Sequence, residues 1–233
     1  MSYFDFKQFR IHHDHCAMKV GTDGVLLGAW ASIQDGEQVL DIGTGTGLIA
    51  IMLAQRANAQ ITGAEIDPEA AAQAKQNVMD CPFSHQIRII ETDIKDFEND
   101  GLFDNIVSNP PFYTESVLPP QTSRATARHC VGLPLEILVR EAKKRLKPKG
   151  LFQVILPHSE TSRFIGICAI NELSLLRQTE ICTKAGKPFK RTLLCFINQI
   201  EATHPTREVL CLSGKEGGRS EAYQNLTKDF YIK

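Results

Sequence analysis

Val39-Leu40-Asp41-Ile42-Gly43-Thr44-Gly45-Thr46-Gly47, running on into Leu48 to Arg56, is the stretch that decides the fold. Val39 to Ile42 is short and mostly apolar, which predicts a buried strand, and Leu48 to Arg56 is apolar at helical spacing. A glycine-rich turn between a first strand and its helix lets a ligand approach the backbone closely. A dinucleotide fingerprint would need glycines at 43, 45 and 48, but position 48 is Leu and the third glycine is at 47. No Gly-Lys-Ser/Thr follows, so a phosphate loop is excluded as well. The spacing fits a cofactor without a pyrophosphate.

Outward from this loop the chain alternates. Ile61 to Ile66 predicts a second strand. Asp67-Pro68 then opens a helix through about Val78, with aspartate as cap and proline at the first helical position. Ile87 to Ile90 predicts a third strand ending near Asp93, and Phe103 to Ser108 a fourth. Residues 113–132 form a polar loop longer than most connections in compact domains, the length of a lid. Leu133 to Leu146 reads as a helix running into Lys147-Pro148-Lys149-Gly150, followed by a fifth strand, Leu151 to Leu156, and a helix from Glu160 to Ile170. Leu173 to Cys182 and Arg191 to Asn198 are two more strands joined without room for a crossover helix, hence an antiparallel pair. The expectation is an α/β fold with a seven-stranded, mostly parallel sheet, one antiparallel strand and helices on both faces.

One domain accommodates this pattern: an N-terminal cap over residues 1–35, a core over 36–200, and an extension over 201–233. The extension carries a short strand at Glu208 to Leu212 and a helix near Glu221 to Tyr231. In the cap, Phe4, Phe6, Phe9 and Ile11 suggest a short extended piece, Val20 to Gly24 a turn, and the run through Trp30 and Ala31 a helix. His12-His13-Asp14-His15-Cys16 is dense in metal-ligand types, but no distant partners show matching spacing, so no metal is expected.

At the fourth strand tip stands Asn109-Pro110-Pro111-Phe112. Two prolines cannot donate to a ladder, so the strand stops there, and Pro110 holds Asn109 extended. An Asn-Pro turn is a common strand end. This one also offers a planar amine two acceptors, the Asn109 side-chain oxygen and the Pro110 carbonyl, beside the Phe112 ring. Glu65, at the second tip, is placed to accept from two ribose hydroxyls, and Asp93, at the third, from an adenine amino group.

Composition bounds the partners. The 233 residues are 42% hydrophobic, with net charge −1 and pI about 6.7, so no global basic field attracts nucleic acid. Local patches remain. Lys184, Lys187, Lys190 and Arg191 follow the sixth strand, and Arg124, Arg128 and His129 lie in the long loop, both groups expected at the edge that carries the site. Lys143, Lys144, Arg145, Lys147 and Lys149 read instead as a solvated helix end. Seven scattered cysteines without a C-x-x-C pair argue for reduced thiols in a cytoplasmic protein. Asp5, Lys7 and Arg10 interrupt any signal-peptide apolar region, and no apolar run reaches membrane-spanning length. No obligate protein partner is evident.

Asp41 to Gly47 with Glu65 resembles the first two motifs of the Rossmann-like class I S-adenosylmethionine methyltransferases, and Asn109 to Phe112 resembles the N-P-P-[YF] motif of the amino-directed ones. Nearly the whole chain is similar to the bacterial tRNA adenine-N6 methyltransferase family that acts on adenosine 37 of a valine tRNA. Phe6 to Phe9, His13 to Ala31, Ser220 to Tyr223 and Phe230-Tyr231 carry that likeness. It departs at Phe112, where tyrosine is usual, and modestly in the glycine loop. The resemblance implies S-adenosyl-L-methionine as cofactor and tRNA as substrate. It places Asn109, Pro110 and Phe112 in catalysis, and Thr22, Asp23, Asp41, Gly43, Gly45, Gly47, Glu65, Asp93 and Asn109 around the cofactor. Other amino-directed methylation, of protein glutamine or guanine N2, is the nearer alternative; glutamine-methylating relatives carry a helical domain before the glycine loop, where only about forty residues stand here. A non-catalytic RNA- or cofactor-binding module is the more distant one.

Overall fold

A computed structural model describes residues 2–14, 16, 19–111, 133–200, 204–214 and 216–232. Strands are β1 Tyr3–Asp5, β2 Arg10–His12, β3 Gln38–Ile42, β4 Gln60–Glu65, β5 Ile87–Glu91, β6 Phe103–Ser108, β7 Leu146–Pro157, β8 Ser174–Cys182, β9 Phe189–Ile197 and β10 Thr206–Cys211. Helices are α1 Thr22–Trp30, α2 Leu48–Arg56, α3 Pro68–Met79, α4 Leu135–Arg145, α5 Thr161–Ile170 and α6 Glu221–Thr227.

β3 to β10 form one sheet in the order β10-β8-β9-β7-β6-β3-β4-β5, and β1-β2 is a separate antiparallel hairpin. The expected reversed strand is β9, antiparallel to both β7 and β8. The expected seven strands become eight, because β10 of the C-terminal extension pairs in parallel with β8. Strand alternation divides the core in two. Val39, Ile61, Val107, Ile155 and Leu193 face α1 and α2, while Leu40, Ile106, Val154, Leu194 and Phe196 face α4 and α5.

Two local expectations change. Val20 to Gly24 is not all turn: α1 begins at Thr22, with Gly21 as its extended N-cap. Lys147-Pro148-Lys149-Gly150 does not trail a helix but lies within β7. The partners of Phe103 and Asn105 are Leu146 and Leu151, so the residues between bulge out. Lys149 takes φ 63°, and the Asn198 amide donates to the Leu146 and Lys147 carbonyls, holding the bulge.

Among the described residues no helix is long and apolar enough to cross a membrane. The six described cysteines form no disulfide.

Candidate active site

Parallel register lines up the strand tips. Ile42 is level with Ala64 on one side and with Ser108 on the other, and Glu65 is level with Glu91. The next residues, Gly43, Glu65 and Asn109, therefore leave the sheet side by side, each about 5 Å from its neighbour strand. The Ser108 hydroxyl donates to the Ile42 carbonyl at 2.8 Å and pins this corner. Asn109 is half-buried and Pro110 buried. Phe112, Arg124, Arg128 and His129, and the whole of 113–132, lie outside the described residues.

The loop between β3 and α2 folds as its glycines allow. Gly43, Gly45 and Gly47 take φ of 71°, 56° and 80°, and a Cβ built at Gly43 or Gly45 would meet nothing within 4 Å. The loop thus leaves an open cradle along its backbone that any side chain would begin to fill. The Gly43 and Thr44 amides donate to the Ala64 carbonyl, and the Gly45 amide donates to Glu65 Oε2 at 2.8 Å. Glu65 Oε1 accepts from the Asp67 amide at 3.0 Å. Two backbone amides orient this buried carboxylate, and each oxygen keeps a lone pair for a ligand. Asp67 caps α3 as its sequence predicts, accepting from the Glu69 and Ala70 amides at 2.9 Å.

Asp41 lies beneath the loop, fully buried, with Oδ2 accepting from the Thr44 hydroxyl at 2.6 Å and Oδ1 without a hydrogen-bond partner among the described residues. Burial pushes its carboxyl up to about 7; the Thr44 bond opposes that rise and the charge of Glu65 adds to it. Asp93 follows β5, as expected, but Lys95 engages it, the ammonium at 2.9 Å and the amide at 3.0 Å. Partial burial raises the Asp93 carboxyl, yet the two Lys95 contacts outweigh it and leave the group below its ordinary range.

Thr22 and Asp23 open α1 at the same edge. A Cβ at Gly24 would lie 3.1 Å from Leu48 Cδ2, so the first turn of α1 abuts the end of the glycine loop. Asp23 Oδ2 accepts from Arg191 Nε at 2.7 Å. A residue expected at the cofactor and one expected at RNA are therefore each other's partners. Lys184, Lys187 and Lys190 are exposed around the β8–β9 turn, on the site's edge.

The basic group at the end of α4 meets its expectation at Lys144 and Lys149, which are exposed, and departs from it elsewhere. Arg145 is not solvated: its guanidinium donates to Glu141, to the Ile94 carbonyl at 2.8 Å and to the Phe97 carbonyl at 2.7 Å. Lys143 pairs with Glu172 and Lys147 with Asp104. Arg145 thus braces the connection between β5 and β6, Lys143 the approach to β8 and Lys147 the start of β6.

Sequence reading missed Asn77. It sits on α3 with no exposed surface; its Oδ1 accepts from the His12 amide, and its Nδ2 donates to the His12 and Thr46 carbonyls, all at 2.9 Å. One side chain joins the N-terminal hairpin to the glycine loop. The available signal was its phase: Ala70, Ala71, Ala74 and Val78 mark the buried stripe of α3, and Asn77 falls within it. His13 bonds the Ser2 hydroxyl at 2.6 Å, His15 lies outside the described residues, and among those described no group of three metal-ligating side chains converges.

Residues 21–176 match the methyltransferase small domain family. The chain is 44% identical over 230 residues to a tRNA1(Val) (adenine(37)-N6)-methyltransferase of Phocaeicola vulgatus, across 99% of this chain and 97% of that one. A Serratia proteamaculans protein of the same name is 40% identical over 233 residues, across 98% and 89%. Among solved structures, a predicted O-methyltransferase from Agrobacterium tumefaciens shares the fold with a TM-score of 0.73 at 19% identity, over 89% of this chain and 96% of that one.

Proposed function

The chain belongs to the methyltransferase small domain family, and we propose that it methylates N6 of adenosine 37 in the anticodon loop of a valine tRNA, using S-adenosyl-L-methionine. The observation that carries this reading is the row of strand tips: the open glycine cradle, the oriented Glu65 carboxylate and the Asn109-Pro110 corner stand level on adjacent strands.

The residues present fit the cofactor. A cradle of positive-φ glycines admits a ligand against bare backbone, and the lone pairs left on Glu65 suit two ribose hydroxyls. Asp93 accepts from an adenine amino group with lone pairs that Lys95 does not use; Thr22 and Asp23 open α1 at the same edge, and Asp41 supports the loop from beneath without reaching its surface. When bound, the cofactor supplies an electrophilic methyl group on a sulfonium.

The chain's own residues supply position. An adenine amino group is a poor nucleophile because its lone pair is delocalised into the ring. The Asn109 side-chain oxygen and the Pro110 carbonyl accept its two hydrogens, which favours pyramidal nitrogen and aims the lone pair. No strong base is needed beforehand, because the proton becomes acidic only after attack. Positioning of this kind supplies about 7–11 kcal/mol in favourable cases. Phe112 gives the base a stacking face, and an anticodon-loop base is already unpaired.

We read residues 1–35 as a cap on the 36–200 core, supported by the His12–Asn77 bonds, and 201–233 as part of the same domain, supported by the β8–β10 pairing. The substrate and the free thiols fit a cytoplasmic enzyme acting without an obligate protein partner. The test is nucleoside mass spectrometry of unmodified valine tRNA after incubation with the protein and cofactor. N6-methyladenosine is expected, and it should vanish when adenosine 37 is replaced by guanosine. No methylated adenosine, or methylation insensitive to that replacement, would overturn the reading.

A further inference from the structure

We propose that Phe189 and His158 form a stacking platform for an unpaired nucleobase of the RNA, one flanking the base that is methylated. This rests on the RNA-methylating reading given above. His158 directly follows β7 and Phe189 opens β9, and the last pair between these strands is Pro157 with Arg191. Both rings therefore stand at the edge where Asn109 leaves β6. Ser108 pairs with Val154, so Asn109 is level with Ile155, and His158 lies one strand across and three residues further out. That is roughly 11 Å from Asn109 by strand geometry, close enough for one RNA segment to span both.

The two rings touch, with centroids 5.3 Å apart and planes tilted by 56°. Neither is absorbed into the core: the His158 side chain is 37% exposed and Phe189 is half-buried. His158 is held from beneath. Its Nδ1 lies 3.0 Å from the Thr192 hydroxyl, which accepts from the Thr161 hydroxyl at 2.8 Å, and Glu180 Oε1 is 3.8 Å away. Thr192 and Glu180 engage Nδ1, so the Nε2 edge is the one turned to a base or a 2′-hydroxyl, as donor or acceptor according to the tautomer.

The rim is cationic. Lys184, Lys187 and Lys190 are exposed, and none is ion-paired among the described residues, whereas Arg191 is committed to Asp23. Partly exposed aromatic faces ringed by unpaired lysines are the combination that binds single-stranded nucleic acid, by stacking plus phosphate attraction. An acidic peptide would use the lysines but has no call on the ring faces.

The test uses the full chain and the anticodon stem-loop of valine tRNA, with KM for RNA read at several salt concentrations and cofactor affinity read separately. Phe189→Ala should raise the RNA KM about 5- to 150-fold without changing the salt slope, and Phe189→Tyr should restore it. Lys187→Glu should instead flatten the salt slope. Cofactor affinity should be unchanged in all three. An RNA KM for Phe189→Ala within twofold of the unmodified protein overturns the platform. If that variant fails to fold, His158→Ala is read the same way, with a rise in KM expected and an unchanged KM overturning the idea. If the unmodified protein methylates neither the stem-loop nor the full valine tRNA, the proposed function has failed; equilibrium RNA binding by the same variants then still decides the platform.

Discussion

Asn77→Leu removes three hydrogen bonds at once while keeping a branched side chain of four heavy atoms. The His12 amide, the His12 carbonyl and the Thr46 carbonyl lose their partner. His12 is half-buried, and water replaces much of what it loses, at about 0.5–1 kcal/mol for each group. Thr46 is buried, so its carbonyl bears a desolvation cost of about 1–3 kcal/mol. Together these give a loss on the order of 3 kcal/mol, which for a chain of this size lowers Tm by about 6–12 °C. Because the same side chain steadies the glycine loop, cofactor affinity should also fall, by about tenfold for each 1.4 kcal/mol of ordering the ligand must then supply. Differential scanning fluorimetry and titration calorimetry read the two effects. A Tm within about 2 °C of the unmodified protein, together with unchanged cofactor affinity, would refute the claim that Asn77 joins hairpin and loop.

Glu65→Ala strips the Gly45 and Asp67 amides of their acceptor as well as removing the ribose contact; calorimetry should show cofactor affinity lower by about 10- to 100-fold, and equal affinity would contradict the assignment. Gly45→Ala places a methyl group in the open cradle at φ 56°, so it should cost about 1–2 kcal/mol in stability and proportionally more in cofactor affinity, read by the same two assays. Asp41 gives a pH dependence. Its folded carboxyl, raised to about 7, lies above the ordinary 3.8, so between those values the folded state holds a proton that the unfolded state has released. Stability is therefore lost as pH rises through that window, by at most on the order of 4 kcal/mol. Asp41→Asn removes the titration, and its Tm should fall less than that of the unmodified protein between pH 5 and pH 8; parallel curves would sink the claim.

Local patterning made much of the fold legible. The apolar spacing of Leu48 to Arg56 gives the bounds of α2, Asp67-Pro68 marks the start of α3, and the short β8–β9 connection forces the reversed strand. What escaped depends on partners distant in sequence. Lys147-Pro148-Lys149-Gly150 carries every local sign of a break, and partners distant in sequence, Asn198 and Asp104, make it a strand bulge. Arg145 looks like any basic helix end until the Ile94 and Phe97 carbonyls are found beside it. Of the site, glycines, Glu65 and Asn109 stand out because strand tips follow from the alternation of elements. The pairing of Asp23 with Arg191 and the contact of His158 with Phe189 join segments whose spacing carries no periodic signal.

Single-turnover methyl transfer by Asn109→Ala, with cofactor affinity measured on the same sample, tests the central claim most directly. If the side-chain oxygen of residue 109 grips the target amine, the rate falls by about 100- to 1000-fold while cofactor affinity stays within about threefold. An undiminished rate would remove Asn109 from the chemistry, and with it the account of how this corner selects an amino group.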